Sequence, residues 1–164
     1  MTITLTGFMG CGKTCTGKAL AERLGWDFID LDAYLEHKMG RSVRELLTEG
    51  EMVFRAREAE AVRDIITMRQ IEGGDLVLSL GGGTLGIKSV RPLILEETTC
   101  IYLEAGVDFL RGWLKGTEAQ RPLLDLSRLE DMLEERRPVY EQARFRVNAE
   151  LPQDELIEVI LKLI

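Results

Sequence analysis

The sequence is poor in metal-binding side chains. His37 is its single histidine, and its three cysteines, Cys11, Cys15 and Cys100, form no Cys-x-x-Cys pair. This argues against a metal-thiolate centre. The cysteine count is odd, and Cys11 and Cys15 flank Gly12-Lys13-Thr14, where a disulfide would distort the chain. Reduced thiols in a cytoplasmic protein are the expectation. Long apolar runs are missing as well: nothing approaches the roughly 18 residues that a membrane span requires. Met1-Thr2-Ile3-Thr4-Leu5 carries neither a basic stretch nor a cleavage pattern, so neither a signal peptide nor a membrane partner is expected. Basic charge is also scarce. The net charge is -7, whereas a nucleic-acid binder would show a basic excess, so no nucleic-acid partner is expected. An acidic chain can still keep a local basic pocket for a small anion. What is present is 164 residues, 45% hydrophobic and 30% charged, which suits one domain with a sizeable core.

The chain shows neither internal repeats nor low-complexity tracts. Residues 2–7 alternate apolar residues with threonine and predict a strand. Thr14 to Leu24 has helical spacing and stops at Gly25. Phe28 to Leu31 predicts a second strand, and Ala33 to Lys38 a short helix ending at Gly40. Ser42 with Glu45 forms a capping box. Glu51 to Gln70 predicts the longest helix, with Phe54, Ala61, Val62, Ile65 and Ile66 as its buried stripe. Leu76 to Leu80 predicts a buried strand that breaks at Gly81-Gly82-Gly83. Cys100 to Leu103 predicts a strand and Val107 to Leu114 a helix. An irregular loop follows over Gly116 to Asp125, then a helix over Leu126 to Ala143, and a last strand over Phe145 to Val147. Pro152 opens the C-terminal helix. Strands alternating with helices imply a parallel sheet covered on both faces, with ligands beyond the carboxyl ends of the strands.

Gly7-Phe8-Met9-Gly10-Cys11-Gly12-Lys13-Thr14 matches the full G-x-x-x-x-G-K-[ST] pattern between a predicted strand and a predicted helix. Glycines there let backbone N–H groups turn inward around phosphate oxygens, and the helix N-terminus points its positive end at the same anion. Lys13 is placed to reach the β- and γ-phosphates and Thr14 to ligate Mg²⁺. The pattern indicates nucleotide phosphates without naming a reaction.

Other residues suggest the rest of a site. Asp30 and Asp32 alternate around Leu31 at the end of the second strand, and residues i and i+2 of a strand share a face. They could divide metal holding from hydroxyl activation; equally, they could form a solvated turn with Asp32 capping a helix. Glu51, Arg55 and Glu58 lie along one edge of the long helix. That edge reads either as an exposed salt-bridged face or as an arginine held by Glu58 and aimed at a carboxylate. The triple glycine allows a close approach to the backbone. Arg121-Pro122-Leu123-Leu124 sits in the glycine-flanked loop. Arg136-Arg137-Pro138-Val139-Tyr140 lies where a proline interrupts the last long helix.

Taken in order, these motifs resemble the shikimate kinase family along nearly the whole chain. The resemblance rests on the loop at 7–14, Asp30-Leu31-Asp32, Gly50-Glu51 with Phe54-Arg55 and Glu58, glycines 81–83, Arg121-Pro-Leu-Leu, and Arg136-x-Pro-x-Tyr140. It implies an α/β P-loop three-layer sandwich with a five-stranded parallel sheet of the nucleoside-monophosphate-kinase type. The whole chain would form one domain, with a helical substrate-binding region at about 32–62 and a lid at about 112–125. The implied reaction is ATP plus shikimate giving ADP and shikimate 3-phosphate, toward chorismate and the aromatic amino acids, with Mg²⁺ required. By position, Gly10, Cys11, Gly12, Lys13, Thr14, Cys15 and Arg121 would bind ATP. Thr14 and Asp30 would serve the metal. Asp32, Arg55, Gly82, Gly83 and Arg136 would bind shikimate, with Asp32, Lys13 and Arg121 catalytic. Arg136 is preferred over Arg137 for its x-Pro spacing. Ser79 stands where the family often has threonine, and its hydroxyl could touch the metal's water shell. Arg111 and Trp113 are both near the position of the family's adenine-stacking arginine. A monomer is expected. The alternatives are another P-loop small-molecule kinase, such as a gluconate or adenylate kinase, or a nucleotide-binding protein without a transfer reaction.

Overall fold

Side-chain parity along the central strands sorts the core into two halves. A computed structural model describes residues 1–164. Its five strands are β1 (Thr2–Thr6), β2 (Asp27–Asp30), β3 (Leu76–Ser79), β4 (Thr99–Glu104) and β5 (Phe145–Asn148). They form one parallel sheet in the order β2-β3-β1-β4-β5. Eight helices accompany them: α1 (Lys13–Leu24), α2 (Leu31–Met39), α3 (Val43–Leu46), α4 (Glu51–Glu72), α5 (Arg91–Glu97), α6 (Val107–Leu114), α7 (Leu129–Tyr140) and α8 (Gln153–Leu161). Val77 packs with Ile3, Leu5, Ile101 and Leu103 against apolar side chains of α1, α6, α7 and α8. Its neighbours Leu76, Leu78 and Leu80 point the other way, into a second core filled from α2, α3, α4 and α5. The result is three layers, with β3 buried on both faces as its continuous apolar run predicts.

Several boundaries differ from the sequence reading. β2 ends at Asp30, and Leu31 begins α2, because fully buried Leu31 and Leu35 need helical spacing to enter the second core. The strand alternation expected for Asp30-Leu31-Asp32 is therefore wrong. Asp30 is the N-cap, accepting from the Ala33 N–H at 3.1 Å, and Asp32 lies in the first turn. The last long helix runs from Leu129 rather than Leu126 and ends at Tyr140 rather than Ala143. Pro138 does not interrupt it. It sits near the C-terminal end, where the loss of one backbone donor costs little next to the burial of Leu133 and Tyr140. The loop over Gly116 to Asp125 holds a single 3-10 turn at Glu118–Gln120. A further helix, α5, follows Val90 with Pro92 in its first turn and had no counterpart in the sequence reading.

The sheet order reverses direction beside β1, whose neighbours are β3 and β4. Open α/β sheets hold their ligands at such a switch point, beyond the carboxyl ends of the strands. Residues 7–12 leave β1 there, Asp30 ends β2, and glycines 81–83 follow β3.

Candidate active site

The loop after β1 reaches α1 through Gly12, whose φ of 94° lies in the left-handed region that favours glycine. That turn directs the N-terminus of α1 at the loop's interior. Lys13 Nζ donates to the carbonyls of Gly7 (2.8 Å) and Phe8 (3.1 Å), which holds the ammonium over the loop. Ser79, at the end of β3, donates its hydroxyl to the Lys13 carbonyl at 2.8 Å. It is buried and ties α1 to the sheet.

Beside the loop, Thr14 Oγ1 donates to Asp30 Oδ2 at 2.5 Å. This hydroxyl–carboxylate pair offers the oxygen ligands that a hard divalent cation prefers, and Asp30 is fixed through its other oxygen by the Ala33 N–H. Asp32, two residues further on, opens into the same space. Crowding by the protein, then the charges of Glu58 and Asp30, push its carboxyl up to about 6 against the pull of Lys13. Asp32 keeps an exposed face toward the cavity, and its acidic neighbours add to the lost hydration in raising it.

The Arg55 edge of α4 is a built site rather than a solvated face. Glu58 is fully buried; one carboxylate oxygen accepts from the Thr84 hydroxyl at 2.8 Å and the other from Arg55 Nη1 at 2.5 Å. Glu51 braces the same guanidinium at 3.4 Å. Glu58 was recognised in sequence only as a partner for Arg55. It lies four residues after Phe54 and three before Ala61, on the apolar stripe itself, and a carboxylate on that stripe was the available signal.

The triple glycine is explained by its neighbours. A Cβ on Gly83 would fall 2.6 Å from the Arg55 guanidinium carbon, and one on Gly82 would fall 3.3 Å from Arg136 Nη1. The glycines thus let both arginines lie against the backbone. Arg136 also stacks its guanidinium 5.3 Å from the Phe8 ring centre. Its Nη1 is buried without a hydrogen-bond partner, an arrangement that a ligand oxygen would complete. Arg137 points elsewhere, to Glu134 and Glu104. Tyr140, on the same helix, donates its hydroxyl to the Gly82 carbonyl at 2.5 Å and pins the loop.

One cavity of about 930 Å³ brings these groups together. Its lining includes Gly10, Cys11, Gly12, Lys13, Thr14 and Cys15 from the first loop, Asp30 and Asp32, Arg55 and Glu58, Gly82 and Gly83, Arg121, and Arg136. The residues expected to bind ATP, metal and acid therefore line the same space, whereas Ser79 and Arg111 do not. The family model for shikimate kinase matches residues 9–164.

The chain belongs to the shikimate kinase family.

Shikimate kinase of Salinibacter ruber is 38% identical, with the match spanning 100% of this chain and 84% of that protein. A shikimate kinase of Thermus thermophilus is 37% identical over 98% of this chain and 88% of its own length. Among solved structures, shikimate kinase from Acinetobacter baumannii in complex with shikimate superposes with a TM-score of 0.88 at 31% identity, covering 99% of this chain and 91% of that one. A deoxyadenosine kinase from M. mycoides, at 13% identity and a TM-score of 0.68, shares the fold over 99% of this chain and 98% of its own. Within this shikimate kinase family member, Trp113 lines the cavity beside Phe109. Arg111 instead donates to the Leu126 carbonyl at 3.2 Å. No helix is long and apolar enough to cross a membrane.

Proposed function

We propose that this family member transfers the γ-phosphoryl group of ATP to the 3-hydroxyl of shikimate, with Asp32 as general base. The single observation behind this reading is the shared cavity. Lys13 and the phosphate loop, Asp32, and the arginines Arg55 and Arg136 line one space, although they come from distant parts of the chain.

Phosphoryl transfer asks the protein mainly for positioning and charge stabilisation. Arg55 and Arg136 grip the acid's carboxylate, Arg55 held in place by Glu58 and Arg136 by the Phe8 ring. Gly82 and Gly83 leave room for the ring. Asp32 accepts the proton of the attacking hydroxyl as its oxygen forms a bond to the γ-phosphorus. The bond from that phosphorus to the β–γ bridging oxygen breaks, and ADP leaves. Lys13 and the N–H groups of the loop stabilise charge on the transferring group. Arg121, on the lid at about 112–125, approaches the same phosphates and helps to exclude water. Thr14 and Asp30 would hold Mg²⁺, which would supply positive charge beside the phosphates when bound. Residues from a single chain line this cavity, so the proposed reaction needs no second subunit.

Arg136→Ala should raise KM for shikimate by about 10-fold or more, since a buried charge-assisted contact is lost, and should leave KM for ATP nearly unchanged. Steady-state kinetics with each substrate varied in turn checks this; equal changes in both constants would remove Arg136 from the acid's site. The pH profile tests Asp32. A base with its carboxyl near 6 should make kcat/KM for shikimate fall about tenfold per pH unit below that point. A profile flat down to about pH 5 would fit an ordinary aspartate and contradict the assignment.

The reaction itself is tested by coupled ADP release with shikimate, gluconate and AMP side by side. Shikimate should exceed the other two by at least about 100-fold in kcat/KM, because each lacks contacts for which the site is built. Preference for gluconate or AMP would overturn the reading.

A further inference from the structure

Arg44 lines the cavity but has no part in the mechanism above. It lies in the first turn of α3, and its Nη1 donates across the cavity to the carbonyl of Ala119 at 3.3 Å, a contact 75 residues apart in sequence. The two ends of this bond differ in character. The α3 end is fixed. Ser42 and Glu45 close a reciprocal capping box, the Val43 N–H donates to Glu36 at 3.0 Å, and Leu46 is fully buried. The Ala119 end is a segment with no fully buried residue from Lys115 to Leu124; its apolar anchors are at its two ends, buried Leu114 before it and half-buried Leu124 at its close. Its own hydrogen bonds are local: Lys115 N–H to Arg111, Thr117 N–H and hydroxyl to Leu114, Gln120 N–H to Thr117, and Leu124 N–H to Arg121. A loop held this way has little to fix its height above the cavity. Arg44 supplies a fixed point two residues before Arg121.

We propose that Arg44 is a positioning residue that seats residues 116–123 over the nucleotide site through the Ala119 carbonyl, and thereby brings Arg121 to the phosphates. The inference rests on the reading of Arg121 given above. It ties the helical region that receives the acid to the loop that covers ATP, and it assigns Arg44 no contact with either substrate. An arginine is suited to the task because its long stem spans the gap and its guanidinium stays charged at every working pH.

The test compares Arg44→Ala and Arg44→Lys with the wild-type protein. Trypsin has one good site between residues 115 and 124, the Lys115–Gly116 bond, since Pro122 protects Arg121. In the ligand-free protein, Arg44→Ala should speed cleavage there by about three- to tenfold, the range of one ordinary exposed hydrogen bond. It should lower kcat/KM for ATP by a similar factor, with the thermal midpoint unchanged. Arg44→Lys, which keeps a donor of nearly equal reach, should restore most of both. Unchanged cleavage would overturn the proposal, because the bond would not hold the loop. Unchanged cleavage with a loss of kcat/KM would reassign Arg44 to direct phosphate binding. Faster cleavage with intact kcat/KM would show a tether that does not position Arg121, and would also overturn it. If the wild-type protein turned over no shikimate, the functional reading would fail by itself, and the cleavage rates alone would decide whether Arg44 seats the loop.

Discussion

Asp32→Asn should lower kcat by about 10²–10⁴-fold, the usual span for removing a general base, while making the protein more resistant to heat. The two effects have one cause. The fold holds the Asp32 carboxyl up at about 6, with crowding, Glu58 and Asp30 all disfavouring its ionised form. Between the ordinary aspartate value of 3.8 and that point, the folded state binds more protons at Asp32 than the unfolded state does. Stability attributable to this group therefore falls as pH rises through that window, and at neutral pH the ionised carboxylate weighs against folding. Asparagine keeps the shape and removes the charge, so the melting temperature at pH 7.5 should rise, and the difference should shrink toward pH 4. Differential scanning calorimetry at the two pH values, beside steady-state kinetics, checks both halves. A variant that stays active would end the assignment of Asp32 as base. One that is inactive and also less stable would show that the residue serves folding instead.

Lys13→Ala should lower kcat by about 10²–10³-fold and raise KM for ATP, comparable with the loss of one preorganised donor to a developing oxyanion. The ammonium is poised by the Gly7 and Phe8 carbonyls, so its charge is in place before the nucleotide arrives. A neutral side chain leaves the backbone N–H groups of the loop to face the phosphates without it. Lys18, exposed on the same helix and outside the cavity, provides the control: Lys18→Ala should keep normal kinetics. Retention of more than about a tenth of kcat in Lys13→Ala would mean that charge at this position is not used in the transition state.

The phosphate loop was legible in the sequence because its chemistry is backbone chemistry, and only a specific run of glycines permits it. The sheet was legible for a related reason: buried parallel strands show as short apolar runs, as Leu76 to Leu80 does. Asp30 and Asp32 were found, but their local structure was not. Either aspartate is a good cap, and what makes Asp30 the cap is the burial of Leu31 and Leu35 in a core built from residues up to 70 positions away. Arg136 and Arg137 pose the same problem on α7. They lie three and four residues after buried Leu133 and four and three before buried Tyr140, so helical periodicity puts them on the two margins of one stripe. Phe8 and Gly82 lie along one margin and Glu104 along the other, which no local pattern reveals. Glu58 was visible as an ion-pair partner, whereas its full burial depends on Thr84 from beyond β3. Arg44 gave no signal, since its partner is a backbone carbonyl in a distant loop.

Phosphorus NMR of the reaction mixture reads the outcome most directly. With ATP, Mg²⁺ and shikimate, the wild-type protein should convert the γ-phosphorus resonance into a phosphomonoester coupled to the proton on C3 of the acid, with ADP formed in equal amount. Orthophosphate as the only new phosphorus species, or a monoester on a different hydroxyl, would mean that the cavity does not hold the acid opposite Lys13 in the way described.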